Sequence, residues 1–277
     1  MIPAYIDGIL QNALLEDINY IDVSADYLLE EDDVRTGRFV AKADGVLCGL
    51  DVGLRVFDLL DPHFSAERFK KDGDRLKKGD LIATVTGPVP ALLKGERTAL
   101  NLMQHMSGIA TATARCVELV QGTRAMITDT RKTLPGLRAL QKYAVVCGGG
   151  RNHRFNLSDG AMLKDNHIDA AGGITQAAEK LRARLGHMVK IEVETRTLDE
   201  VDEALAVGAE IIMLDNMDCA QMREAVKRTA GRALLEASGG ITEENLRAVA
   251  QTGVDIISLG ALTHSVKAFD ISMKIQK

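Results

Sequence analysis

The sequence lacks tryptophan, has only four cysteines and contains no long hydrophobic run. Its apolar stretches fall short of the roughly 18 residues that cross a membrane, and no basic-then-apolar leader follows Met1. The cysteines are far apart in the chain and include no C-x-x-C pair, which argues against a disulfide framework or a zinc knuckle. We therefore expect a cytoplasmic protein without a membrane partner.

A surplus of positive charge is also absent. The 277 residues include 39 Asp and Glu against 34 Lys and Arg, which gives a formal net charge of −5. Because nucleic-acid binding needs a broad basic surface, this balance argues against DNA or RNA as a partner. With 46% hydrophobic and 26% charged residues, the chain has an ordinary globular composition and is long enough for one large domain or two smaller ones.

The pattern of apolar residues becomes regular near Glu96. A long helix rich in Ala, Leu and Met is followed by apolar runs that alternate with amphipathic helices. This alternation predicts a parallel sheet covered by helices, and six such units favour a TIM-like α/β barrel, complete or somewhat short of eight strands. No G-x-G-x-x-G motif follows a strand, which argues against a dinucleotide-binding fold. The predicted strands are 125–128, 160–164, 188–194, 210–215, 233–238 and 254–260.

Charged residues, other polar residues or glycines end or follow each of these predicted strands. Because active sites of parallel barrels lie at the carboxyl ends of the strands, we expect these residues to form one site. Glu192 and Glu194 share a strand, and we expect at most one of them to point into the barrel mouth, with Glu194 favoured as the nearer to the strand end. The strand-end residues are Arg131, Lys132, Lys164, Glu194, Asp215, Asn216, Ser238, Gly239, Gly240 and Gly260, with His264 four positions after Gly260.

Positive charge is concentrated around the three consecutive glycines at 148–150. Seven Lys and Arg lie between Arg131 and Lys164, against the single acid Asp159. Arginine binds carboxylates bidentately, and glycines let backbone amides approach an anion. The cluster predicts a pocket for a multiply anionic small molecule, whereas Arg138 and Lys142 are expected on the solvated face of a helix. The candidate anion ligands are Arg131, Lys132, His153, Arg154 and Lys164.

Acidic and glycine-rich strand ends complete the predicted site. Glu194 and Asp215 suit a divalent metal, the hydroxyls of a sugar or a developing cationic centre. The segment 238–240 and Gly260 match the phosphate-binding strand ends that are common late in such barrels. Together with the cationic pocket, these residues predict a phosphorylated sugar that meets a polyanionic partner.

Several stretches of the chain, in order from residue 95 to 265, resemble the quinolinate phosphoribosyltransferase family. The number of separate motifs in register makes the resemblance specific. The least typical stretch is "EDINYIDVSADYL" near the start. The matching stretches are "GERTALN", "TDTRKTLPGLRALQKYAVVCGGGRNHRF", "LSDGAMLKDNHI", "IEVE", "MLDNM", "EASGGIT" and "SLGALTHS".

The resemblance implies an N-terminal α/β sandwich domain, residues 1–105, and an incomplete TIM-like α/β barrel, residues 106–265, with 266–277 packing back on the first domain. It implies a pentosyltransferase that converts quinolinate and phosphoribosyl pyrophosphate, with Mg²⁺, to nicotinate mononucleotide, pyrophosphate and carbon dioxide in NAD biosynthesis. It also implies a homodimer, or a higher oligomer, whose active sites are shared between subunits.

The same resemblance implies a role for each matching residue. Arg97 would reach the neighbouring subunit's site. Lys164, Glu194 and Asp215 would be catalytic, and the two acids would serve the ribose and the metal, directly or through water. The remaining implied ligands are Arg131, Lys132, His153, Arg154 and Lys164 for the carboxylates and pyrophosphate, and Ser238, Gly239, Gly240, Gly260 and His264 for the 5′-phosphate.

Three alternative functions share this pattern in part. A phosphoribosyltransferase-like protein linked to molybdate transport would be expected to depart from the motifs "GGGRNHR" and "LKDNH". Both motifs are intact in this sequence. Nicotinate phosphoribosyltransferase binds one carboxylate and needs less positive charge. A catalytically silent nucleotide sensor would have no need of Glu194, Asp215 and both basic motifs together.

Overall fold

The computed structural model describes residues 4–30 and 32–276 and contains two compact units. Within those residues, the first unit takes in the chain up to 114, 134–149 and the chain from 263, and the second takes in 115–133 and 150–262. Neither unit is continuous in the chain. The domain boundary expected after residue 105 stays a prediction.

The first unit is built on an antiparallel sheet with helices packed against it. The sheet has the order β12-β1-β5-β3, so the C-terminal strand pairs with the first one. A short ribbon of β2 and β4 accompanies it. The strands are β1 (Val34–Ala41), β2 (Gly45–Val46), β3 (Ser65–Arg68), β4 (Arg75–Leu76), β5 (Leu81–Pro88) and β12 (Ile271–Ile275); the helices are α1 (Ala4–Asp17), α2 (Ala25–Leu28), α3 (Leu50–Leu60), α4 (Val89–Leu119), which continues into the second unit, and α5 (Arg138–Cys147).

Aromatic and small residues bring sheet and helices together in this first unit. The Phe57 ring on α3 stacks edge-on against Phe39 of β1, with ring centroids 6.1 Å apart, and against Phe64 at 5.4 Å. Gly53 lets α3 approach α4, because a Cβ there would lie 2.4 Å from the Met103 sulfur. Phe39, Phe57 and Met103 are fully buried and fill the space that a small core needs.

The predicted solvated face of helix α5 is wrong for Lys142. Its side chain is only 1% exposed, whereas Arg138 is half-buried. A spacing of four residues places two side chains on one side of a helix, but it does not tell whether that side faces solvent. Here Lys142 lies on the buried side of α5, together with Leu140, Gln141, Ala144 and Val145.

The second unit is an incomplete barrel of parallel strands, as predicted. Among the described residues its sheet has six strands in the order β6-β11-β10-β9-β8-β7, and every pair is parallel. The two end strands, β6 and β7, are consecutive in the chain. Each predicted apolar run overlaps one strand, and β8 ends one residue beyond its run. The strands are β6 (Met126–Thr128), β7 (Ala161–Leu163), β8 (Ile191–Thr195), β9 (Ile211–Asp215), β10 (Leu234–Ser238) and β11 (Ile256–Ser258).

Helices follow the strands, and several of them begin at residues whose side chains cap the first turn. The Asp218 carboxylate accepts hydrogen bonds from the backbone N–H groups of Ala220 and Gln221, both at 2.8 Å, and Thr197 caps α8 in the same way. These caps satisfy donors that the first helical turn leaves free. The helices are α6 (Asp165–Ala171), α7 (Ile174–Arg182), α8 (Leu198–Ala206), α9 (Cys219–Thr229), α10 (Glu243–Ala250) and α11 (Ala261–His264). In the described part of the chain, none combines the length and apolarity needed to cross a membrane.

Candidate active site

Ten of the thirteen predicted site residues line one cavity at the carboxyl ends of the barrel strands. Its volume is about 580 Å³. Residues from β6 through β11 or the segments that follow them contribute, so the cavity is the mouth of the barrel. The ten residues are Arg131, Lys132, His153, Arg154, Lys164, Glu194, Asp215, Ser238, Gly239 and Gly240, and the same cavity is lined by Thr130, Met162, Met213, Asn216, Glu236 and Ser258.

Two arginines make one side of this mouth strongly positive. Arg154 is half-buried, and its Nη1 donates a hydrogen bond of 2.9 Å to the Gly160 carbonyl. Burial lowers the pKa of the Arg154 guanidinium, and the nearby positive charge of Arg131 lowers it further, while Glu192 and Asp159 act in the opposite direction. Like charges held together in a half-buried place favour a bound anion, because the anion relieves their repulsion.

Lys164 joins the positive side to the acidic side. Its Nζ forms an ion pair with Glu194, whose side chain is 13% exposed, while Lys164 itself is 43% exposed. The Lys164 backbone N–H donates to Nδ1 of His167 at 3.1 Å, which starts helix α6. The ammonium group is therefore held at the mouth with access to solvent and to an incoming ligand.

Asp215 and the glycines after β10 form the opposite side of the mouth. Asn216 Nδ2 donates to Asp215 Oδ2 at 2.9 Å, and the Asn216 backbone is left-handed, with φ of 54°. Gly239 has φ of 89°, and a Cβ there would lie 2.3 Å from Asn216 Oδ1. The position needs glycine both for its conformation and for the close approach of Asn216.

A second layer of acids lies below the mouth, and sequence reasoning missed it. His153 Nε2 lies 3.1 Å from Glu192 Oε2 and 3.5 Å from Glu236 Oε2. The Glu192 and Glu236 side chains are 6% and 2% exposed. Burial raises the pKa of Glu236 to about 7, Glu192 adds to the shift, and His153 opposes it.

The signal for this layer was present in the strand period. Glu194 lines the mouth, as predicted, and Glu192 lines a deeper cavity of about 320 Å³. Residues i and i+2 of a strand point to the same face, so Glu192 points inward as well, one layer further down. Glu236, left unassigned from the sequence, lines both cavities because it lies on β10 two residues before Ser238.

Three predicted residues do not line the cavity within the described chain. Gly260 follows β11 at the same carboxyl edge. Arg97 is exposed on α4 in the first unit. His264 also belongs to the first unit, and its Nδ1 lies 2.7 Å from Ser265 Oγ. Their roles stay predictions.

The structure also brings together side chains that the sequence keeps apart. In the first unit the thiols of Cys48 and Cys147 and the Asp72 carboxylate lie within 4.8 Å of one another. The Tyr143 hydroxyl donates to Asp72 Oδ2 at 3.0 Å. Cys48 and Cys147 are 99 positions apart in the sequence, so no short sequence motif predicts this cluster.

The fold and the site define a class of protein. It is a parallel-barrel enzyme in which arginine and lysine side chains share one cavity with two carboxylates and a glycine-rich strand end. Comparison with known families identifies the family within this class. Residues 22–107 match the family model described as the N-terminal domain of quinolinate phosphoribosyl transferase, and residues 109–274 match its C-terminal domain. The chain belongs to the quinolinate phosphoribosyl transferase family.

Similar proteins match the sequence over nearly the whole chain. A probable carboxylating nicotinate-nucleotide pyrophosphorylase of Bacillus subtilis is 49% identical over 267 residues, which cover 96% of this chain and 92% of the relative. A Mycobacterium leprae protein with the same name is 45% identical and covers 96% and 95%. The crystal structure of NadC from Streptococcus pyogenes is 44% identical, has a TM-score of 0.96 and covers 100% of this chain and 98% of that one. Human nicotinic acid phosphoribosyltransferase, 15% identical with a TM-score of 0.57, shares the fold alone.

Proposed function

We propose that this chain is a decarboxylating pentosyltransferase that converts quinolinate and phosphoribosyl pyrophosphate to nicotinate mononucleotide, pyrophosphate and carbon dioxide in NAD biosynthesis. The names of the relatives support this proposal. The observation that carries it is the single cavity in which Arg131, Arg154 and Lys164 face Glu194 and Asp215. A dianionic acceptor and a sugar that becomes cationic need these two signs in one place.

The positive side of the mouth is suited to the two carboxylates of quinolinate. Arg131 and Arg154 each present a planar fork that can bind a carboxylate through two hydrogen bonds. Lys132 and Lys164 add compact charges at the rim of the same cavity. At about 4 Å and an effective dielectric constant of 20, one such charge pair contributes about 4 kcal/mol, so a few of them hold a dianion against solvent.

The acidic side is suited to the ribose and to Mg²⁺. Glu194 and Asp215 offer carboxylate oxygens to one cavity, and Mg²⁺ is commonly held by one or two carboxylates together with substrate phosphates and water. These residues therefore fit the ion, directly or through water. When bound, Mg²⁺ would neutralise charge on the pyrophosphate. The segment Ser238–Gly240 offers backbone amides at the carboxyl edge for the 5′-phosphate, and Gly260 and His264 are proposed with it.

The bond changes follow from this arrangement. The bond between the ribose C1 and the pyrophosphate oxygen breaks, and the developing positive charge on the sugar is stabilised by Glu194 and Asp215. The pyridine nitrogen then forms the bond to C1. The new pyridinium withdraws electrons, the neighbouring carboxylate leaves as carbon dioxide, and its electron pair stays on the ring carbon. Lys164 or water supplies the proton that this carbon takes up.

The protein is also proposed to form a cytoplasmic homodimer with shared active sites. In this dimer, Arg97 of one subunit completes the cationic side of the other subunit's active site. The exposed position of Arg97 on α4 is compatible with such a contact. The proposed partners are otherwise small molecules.

One incubation tests the reaction. The protein is mixed with ring- and carboxyl-labelled quinolinate, phosphoribosyl pyrophosphate and Mg²⁺, and labelled carbon dioxide and nicotinate mononucleotide are measured. We expect both products in equal amounts, and none without phosphoribosyl pyrophosphate. A parallel incubation with nicotinate, which has one carboxylate, should give little product. Product from nicotinate but not from quinolinate would replace this proposal by the nicotinate alternative, and no product from either would contradict it.

A further inference from the structure

His153 was expected to bind the substrate, but its ring nitrogens face protein groups. The backbone N–H of Arg154 donates a hydrogen bond to His153 Nδ1 at 2.8 Å. On the other side of the ring, Nε2 lies 3.1 Å from Glu192 Oε2 and 3.5 Å from Glu236 Oε2. The side chain is 14% exposed. The imidazole therefore has a donor on one edge and acceptors on the other.

These partners determine where the proton of His153 lies. A backbone N–H can only donate, so Nδ1 must keep its lone pair and cannot carry a proton. The proton of the ring then lies on Nε2, where the two carboxylates accept it. In this tautomer His153 is neutral. Nδ1 accepts the Arg154 N–H and the Nε2 proton faces the carboxylates, so neither nitrogen is left to bind a substrate carboxylate or a metal ion.

One buried acid also holds the same segment. Asp129 is fully buried; its Oδ1 accepts the His153 backbone N–H at 2.9 Å, and its Oδ2 accepts Asn152 Nδ2 at 2.6 Å. The segment 152–154 is thus held through its backbone by Asp129 and through the His153 ring by Glu192 and Glu236. Its last residue, Arg154, lines the mouth.

We propose that His153, Glu192 and Glu236 are positioning residues that fix the Nε2–H tautomer of His153 and so hold Arg154 in place for the substrate's carboxylate. In this arrangement, which rests on the proposed function only for the identity of the substrate, His153 does not contribute positive charge to the mouth. The carboxylates are left to Arg131, Lys132, Arg154 and Lys164. Arg154 is aimed by its own backbone amide and by the Gly160 carbonyl.

The tautomer can be measured without any substrate. The protein has six histidines, so a long-range proton–nitrogen spectrum of ¹⁵N-histidine-labelled protein is simple, and the His153 signals are those lost in His153→Gln. We expect a neutral ring with the proton on Nε2 at pH 7.5. A ring protonated on Nδ1, or on both nitrogens, would overturn the proposal. This result stands whatever reaction the chain catalyses.

Kinetics separates positioning from a merely structural role. With Glu192→Leu/Glu236→Leu, which removes both acceptors, we expect the quinolinate KM to rise about 10-fold, which corresponds to loss of about one charge-assisted hydrogen bond, with kcat changed less than about threefold. The phosphoribosyl pyrophosphate KM should stay unchanged. Glu192→Gln/Glu236→Gln keeps acceptor oxygens and should restore most of the affinity. If the Leu variant does not fold, the single variants Glu192→Gln and Glu236→Gln are measured instead. They show whether the Nε2–H signal of His153 and the quinolinate KM change together.

The matched control is Glu210→Gln, because Glu210 precedes β9 at the opposite, amino end of the same sheet and accepts the Ile191 N–H at 2.8 Å. Its quinolinate KM should not change. An unaltered quinolinate KM in a folded Leu variant would overturn the proposal. Failure of the unaltered chain to release carbon dioxide would instead contradict the proposed function and leave the tautomer result in place.

Discussion

At the scale of single residues, Lys164 is the side chain that we propose to act on both sides of the site. Its Nζ pairs with Glu194, and it lines the same cavity as the cations that are proposed to hold quinolinate. A substrate carboxylate would compete with Glu194 for this ammonium group. Under the proposed function, quinolinate binding would therefore free Glu194 to face the sugar at the stage when positive charge develops there.

Lys164→Ala should lower turnover by about 100-fold or more, because it removes a charge that acts on both the carboxylate and the departing pyrophosphate. The measurement is steady-state carbon dioxide release with quinolinate and phosphoribosyl pyrophosphate. Lys227→Ala is the control, because the Lys227 side chain is 78% exposed on α9. Near-normal turnover in a folded Lys164→Ala protein would remove Lys164 from the catalytic group.

Gly239→Ala should disturb Asp215 through Asn216. The added Cβ would lie 2.3 Å from Asn216 Oδ1 in a backbone with φ of 89°, so the Asn216 side chain must move away from Asp215. We expect the phosphoribosyl pyrophosphate KM to rise about 10-fold, since misplaced groups weaken ligand binding strongly. Gly186→Ala is the control, because a Cβ there has nothing within 4 Å. Equal KM values for the two variants would show that the close approach has no consequence for binding.

Glu236 predicts a particular dependence of stability on pH. Its pKa rises from an ordinary 4.5 to about 7 in the folded chain, mainly through burial. Between these values the folded state keeps a proton that the unfolded state has lost, so the free energy of unfolding falls as pH rises, by up to about 1 kcal/mol per pH unit. Below about pH 4.5 both states are protonated and the effect disappears.

Glu236→Gln lacks this proton and should not show the decline. Urea unfolding of both proteins from pH 5 to 7.5 gives the difference in unfolding free energy, and we expect the variant to gain relative to the unaltered chain as pH rises. Parallel curves over this range would contradict the raised pKa.

At the scale of helices and strands, most boundaries follow from local chemistry. Asp218 ends the loop after β9 and caps α9 through two backbone N–H groups, as its position before an apolar-periodic run indicates. Helix α4 begins at Val89, several residues before the start that the sequence pattern predicts near Glu96. The intervening residues continue the helix because Val89 and Leu92 are buried in the first unit.

Asp218→Ala should lower the free energy of unfolding by about 1 kcal/mol, because it leaves two donors of the first turn without their acceptor. Chemical denaturation measures the change. Asp218→Asn should retain most of the stability, since the amide oxygen can still accept these hydrogen bonds. A loss as large for Asn as for Ala would indicate that the carboxylate charge, and not the cap, is responsible.

At the scale of the whole molecule, the proposed homodimer with shared active sites predicts complementation between inactive variants. In the proposed dimer, Arg97→Ala and Lys164→Ala proteins would each lack one contribution to every site, but a mixed dimer would have one site with both. After random exchange of subunits about half of the dimers are mixed, so activity should return to about a quarter of the unaltered level. Carbon dioxide release before and after mixing is the measurement. Absence of any recovery, with subunit exchange verified by mass, would contradict the shared site.

The sequence alone determined the parallel barrel, the family and ten residues of the mouth, because each of these depends on local order. Apolar runs alternate with helices along the chain, and the carboxyl ends of parallel strands come to the same edge whatever the details of packing. A residue at a strand end is therefore placed by its neighbours in the sequence.

Only the tertiary structure decided what lies below the mouth and how deeply each side chain is buried. Lys142 lies in the core although its spacing suggested solvent, and His153 meets Glu192 and Glu236 from different strands. The pKa of Glu236 and the tautomer of His153 depend on distances between groups that are far apart in the chain. Such distances are set by how strands and helices pack together, and no local pattern contains them.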